Sequence, residues 1–89
     1  MAEKLNKQEF SVLWQLEEGG YFPEDITPFT GLDESKVQQI LVKLEKIGLV
    51  AIEKKYDEYY KKENWSLKLN KEKAKEYYET YRSWIPKLK

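Results

Sequence analysis

The chain has 89 residues, of which 40% are hydrophobic and 15% aromatic, enough for one compact domain and too few for two. It contains no cysteine and no histidine, which excludes a disulfide scaffold, thiolate zinc sites and thiol catalysis, and removes the commonest general base and metal ligand. Sixteen basic and sixteen acidic residues balance to zero net charge, unlike a strongly basic, unspecific nucleic-acid binder.

The charge is unevenly spread. Residues 1–32 carry two lysines against six acids, and residues 33–89 carry 14 basic against 10 acidic residues. No apolar run approaches the roughly 20 residues that cross a bilayer. The N-terminal MAEKLNKQEF also lacks the apolar segment of a signal peptide. A cytoplasmic protein with no membrane partner is expected.

A first helix is predicted over residues 6–18. Asn6 serves as N-cap and Glu9, three residues later, completes a capping pair. Phe10, Leu13, Trp14 and Leu16 give this helix a wide apolar face, and Gly19-Gly20 ends it. A second, short helix is predicted over 23–30. Pro23 suits its first position, and Glu24 and Asp25 complement the positive end of its dipole. Pro28 falls inside it, where it removes one backbone bond and crowds the Glu24 carbonyl. That helix is therefore expected to be irregular, tightened or broken near Thr27.

Gly31 lies in the following turn, where a positive φ is cheap only without a Cβ. Asp33 is placed to cap a third helix over 33–47 through the amide of Ser35 or Lys36. Val37, Ile40, Leu41, Leu44 and Ile47 recur at helical spacing, so one face is buried. Glu34, Ser35, Lys36, Gln38, Gln39, Lys43 and Lys46 occupy the opposite face, and Gly48 is the expected C′ residue. Residues 49–69 read as a hairpin: strands at Leu49 to Tyr56 and Trp65 to Leu69, with Val50 opposite Leu69 and Ile52 opposite Leu67. Its tip is then the nine residues 56–64. Asn70 caps a final helix over 70–85, with Ala74, Tyr77, Tyr78, Tyr81, Trp84, Ile85 and Leu88 on one stripe; Pro86 stops or bends it.

This order of elements resembles the winged helix-turn-helix domains of bacterial and archaeal transcription regulators. Ile26, Thr30-Gly31-Leu32, Val37, Ile40, Leu41, Leu44-Glu45-Lys46 and Gly48-Leu49-Val50 carry the resemblance, which spans roughly residues 8–69. It implies an α+β, mostly helical fold: a three-helix core, a β-hairpin wing and a C-terminal helix forming one domain over 1–89. In that family the helix after the glycine turn enters the major groove, and the wing contacts the DNA backbone or minor groove. The resemblance thus puts Ser35, Lys36, Gln38, Gln39 and Lys43 on the groove side. Glutamine matches an adenine edge, lysine a guanine edge or a phosphate, and serine either. The plainer reading is a solvated polar helix face.

In the hairpin, Lys54, Lys55, Lys61 and Lys62 stand among tyrosines and are candidates for phosphate contact. Glu53, Asp57, Glu58 and Glu63 offset them, so a solvated hairpin whose charges deter edge pairing is the equal alternative. Tyr77, Tyr81, Trp84 and Leu88 are spaced for a partner helix, which would make the protein a homodimer with two recognition helices about one DNA turn apart. The alternative is that this helix packs back on Phe10 and Trp14.

No catalytic residues, metal ligands or cofactor sites are expected. The carboxylate pairs lie in polar contexts, and no phosphate-cradling loop or nucleophile motif is present. Two functions remain open. The first is a small sequence-specific transcriptional regulator binding double-stranded DNA. The second is an adaptor that uses the same fold for protein contacts alone.

Overall fold

A computed structural model describes residues 4–19 and 22–85. It is an α+β fold, mostly helical, with four α-helices and one antiparallel hairpin. The order is α1 (Lys7–Glu17), α2 (Pro23–Thr30), α3 (Glu34–Lys46), β1 (Val50–Asp57), β2 (Lys62–Leu69) and α4 (Lys71–Thr80), then a 3₁₀ turn over Arg82–Trp84. No helix among the described residues is long and apolar enough to cross a membrane.

The core collects the apolar stripe of each element. Phe10, Leu13 and Leu16 of α1 meet Ile26 of α2, Val37, Leu41 and Leu44 of α3, Val50 and Leu67 of the hairpin, and Ala74 and Tyr77 of α4. Burying each aliphatic side chain among them is worth about 1.5–3 kcal/mol.

α1 starts as its sequence dictates. The Asn6 side chain accepts from the Glu9 amide at 2.8 Å, and the Glu9 carboxylate accepts from the Asn6 amide at 2.9 Å. At the other end of the core, α3 stops in a tight left-handed turn. The Leu49 amide donates to the Leu44 carbonyl at 2.9 Å and the Gly48 amide to the Glu45 carbonyl at 3.0 Å, with Gly48 at φ 83°. This bond pair satisfies carbonyls that a helix end otherwise leaves open. Leu44 and Leu49, both fully buried, make the accompanying apolar contact.

The structure corrects one expected irregularity and two boundaries. α2 is unbroken from Pro23 to Thr30 despite Pro28. The missing amide of Pro28 leaves the Glu24 carbonyl open, and the Thr27 hydroxyl donates to it at 3.3 Å. The hairpin tip is four residues, Glu58 to Lys61, because the strands run on to Asp57 and Lys62. Asp57 closes that turn: its side chain accepts from the Tyr59 and Tyr60 amides at 2.9 and 3.1 Å. The expected register holds, with Val50 opposite Leu69 and Ile52 opposite Leu67.

The third correction concerns the last helix, which leaves α geometry after Thr80. Its continuation tightens into the 3₁₀ turn, and Ile85 is extended at ψ 125°, the conformation a following proline favours. The tightened turn stacks Trp84 on Tyr81 with centroids 4.5 Å apart.

Candidate nucleic-acid interface

Across the Gly31 turn, α3 presents its polar face to solvent. Gly31 has φ 71°, and an added Cβ there meets nothing within 4 Å, so it is the backbone angle that calls for glycine. The Asp33 side chain accepts from the Lys36 amide at 2.8 Å, which fixes where the helix begins. With Val37, Ile40, Leu41 and Leu44 buried, helical geometry turns Ser35, Gln39, Val42 and Lys46 outward as a central stripe. Ser35 and Lys46 are exposed, and Val42 is half-buried. Lys36 is exposed on the flank nearer α1, and Gln38 lies on the flank nearer the hairpin.

Lys43 does not join that stripe. Its ammonium donates to both carboxylate oxygens of Glu9, at 2.9 and 2.8 Å, and so clamps α3 to the start of α1. Burial pushes the Glu9 carboxyl up, but the Lys43 ammonium and the Asn6 amide outweigh it and hold the group below its ordinary 4.5. Glu45 is likewise engaged, accepting from the Ile52 amide at 3.3 Å, on the edge of β1 that β2 does not pair. This bond draws the Glu45 carboxylate toward the hairpin.

Val42 and Lys46 enter the stripe although neither stands among the residues that the sequence put on the groove side. A strict helical wheel centred on the buried positions finds both. Val42 adds an apolar group of the kind that packs on a thymine methyl. Lys46 has no ion-pair partner within 4.0 Å among the described residues.

The four hairpin lysines are not one cluster. Cross-strand partners share a face, so the pairing Lys54 to Trp65, Lys55 to Asn64 and Asp57 to Lys62 separates them. Lys54 lies on the face that carries Val50 and Ile52, with its ammonium 4.8 Å from the Trp65 ring centroid, a cation–π contact. Lys55 and Lys62 are on the opposite face with Lys68, all three exposed, and Glu53 and Asp57 lie among them. Lys61 belongs to the tip, in the left-handed region at φ 52°.

The C-terminal stripe packs in part on the domain itself, with Tyr78, Tyr81, Trp84 and Ile85 half-buried against the core. Tyr77 is 1% exposed and lies inside the core, so it is corrected from interface to core residue. The Tyr81 hydroxyl accepts from the Leu5 amide at 2.8 Å. Phe10 sits among Tyr78, Tyr81 and Trp84 at centroid distances of 6.2, 5.6 and 5.9 Å. Trp14 packs edge-on to Tyr78 at 5.3 Å. Tyr78 donates to Glu17 at 3.2 Å, and burial first and the Glu17 carboxylate next push its hydroxyl well above the usual tyrosine value. Leu88 lies outside the described residues.

Among the described residues no group of three or more acidic side chains is placed to hold a metal ion. No protein-family model, curated protein or solved structure matches the chain, so the chemistry of this face rests on its own geometry.

Proposed function

We propose that the chain is a winged helix-turn-helix domain that binds double-stranded DNA sequence-specifically as a small transcriptional regulator. The observation that carries this reading is the outward stripe Ser35, Gln39, Val42 and Lys46 on a helix held at both ends. It combines a hydroxyl, a carboxamide, an aliphatic group and a cation, the set that reads base edges in a major groove. Support also comes from the hairpin beside it, whose Lys55, Lys62 and Lys68 share one exposed face suited to phosphate.

Enrichment of bound duplexes from a random pool at low salt tests the proposal. A recurring sequence is the expected result, and recovery of none refutes it. Replacing Ser35 and Gln39 together by alanine should cost about 2–6 kcal/mol of specific binding, at about 1–3 kcal/mol for each base edge no longer read. The thermal midpoint should hold to within a few degrees, because neither side chain belongs to the core.

A protein-binding adaptor is the second reading. It is favoured by Phe29, which is 73% exposed on α2, on a segment of the chain that also carries Glu17, Glu18, Glu24 and Asp25. Random duplex left unbound at low salt would transfer the assignment to this alternative.

A further inference from the structure

The far end of the hairpin exposes three large rings: Tyr56, Tyr59 and Tyr60 are 60%, 84% and 69% exposed. None belongs to the core or to the half-buried shell packed on it, so folding does not require them. Their placement is nonetheless specified. The Asp57 side chain holds the Tyr59 and Tyr60 amides, Lys61 takes a left-handed angle, and the two rings meet edge to face with centroids 4.8 Å apart. An edge-to-face pair leaves one ring face open for a further flat group.

The charge at the tip does not favour simple phosphate attraction. From Asp57 to Glu63 three acids stand against two lysines, so release of counterions contributes little there. Nor does the tip offer the surface of a stable protein contact, which buries roughly 800 Å² on each partner; it is a turn of four residues. A flat aromatic ligand needs only one ring face.

We infer that Tyr59 and Tyr60 form a stacking site for an unpaired nucleobase of DNA. The inference rests on the DNA-binding reading above and specifies what the tip recognises: the place where a duplex opens or ends in a single strand.

The test compares a blunt duplex with the same duplex carrying a single-stranded overhang, by fluorescence anisotropy. The overhang should bind more tightly, by about five- to 150-fold for one stacked base. Replacing Tyr59 and Tyr60 by alanine should abolish that preference and leave blunt-duplex affinity and thermal midpoint unchanged. Replacing both by phenylalanine should retain it, because the ring and not the hydroxyl does the stacking. A 2-aminopurine at the first unpaired position should change emission on binding the native protein and not the alanine variant. Duplex binding without an overhang preference, or a preference that survives the alanine pair, overturns the inference while the proposed function stands. Equal weakening of both substrates by the alanine pair also overturns it. Failure to bind any DNA refutes both.

Discussion

Glu9 joins two parts of the structure through one carboxylate. One carboxylate closes the α1 capping box and also receives the Lys43 ammonium from α3. Its proton affinity is lowered on folding, so the unfolded chain binds a proton there more readily than the native one. The stabilisation is therefore present above pH about 4.5 and is lost as pH falls through the lower native value. Glu9→Gln should cost about 1 kcal/mol or less at neutral pH, because the Lys43 side chain is 42% exposed and solvent screens the pair. Thermal melts of both proteins down to about pH 3 check this: the gap between them should close in acid. The capping pair was legible in the sequence, since Asn6 and Glu9 stand three apart before an apolar run. The ion pair was not, because 34 residues separate its partners and only the packing of α3 on α1 joins them.

The elements whose reading needed only local rules came out close to expectation. Asn6, Asp33 and Asn70 cap their helices, Gly31 and Gly48 take positive φ, and the period-two pattern around Val50 and Leu67 gives the register. Local rules failed where one side chain repaired a local fault. The Thr27 hydroxyl takes up the carbonyl that Pro28 leaves open in α2, and the Asp57 carboxylate accepts from two amides of the four-residue turn. They failed again for the aromatic stripe of α4. Its spacing announces that it is covered, but periodicity does not say by what. Phe10 of the same domain supplies part of the cover. Tyr77→Ala accordingly should cost about 3–5 kcal/mol, the range for removing a large buried aromatic side chain. A urea titration checks it: the midpoint should fall sharply even at protein concentrations too low for association. A purely interfacial Tyr77 would leave that low-concentration midpoint in place.

At the scale of the whole molecule, the two faces of the hairpin divide the labour expected of its lysines. Lys55, Lys62 and Lys68 share one exposed face, whereas Lys54 rests over Trp65. Replacing the first three by glutamine should weaken binding to every duplex and flatten its salt dependence. The slope of log affinity against log salt should fall by about 0.9 for each phosphate no longer neutralised. Lys54→Gln should leave the slope unchanged, and titrations across a range of salt concentrations separate the two.

Gly48 sets a dimension that none of the individual contacts does. Two eight-residue strands at about 3.4 Å per residue reach about 27 Å, so the tip stands that far from a base set just beyond the end of α3. A change of about 10° at its base would sweep the tyrosines through about 5 Å, more than the thickness of a stacked base. Val50 and Leu67, buried in the core, hold that base, and several bonds brace it further. The Leu49 amide reaches back to Leu44, the Asn70 amide donates to Leu49 at 2.8 Å, the Asn70 side chain donates to Gly48 at 3.3 Å, and the Ile52 amide donates to Glu45. The distance between the polar stripe of α3 and the tip is thus a ruler calibrated at Gly48 and Asn70. Substitutions there should alter which spacings along a ligand are accepted before they alter how tightly either end holds.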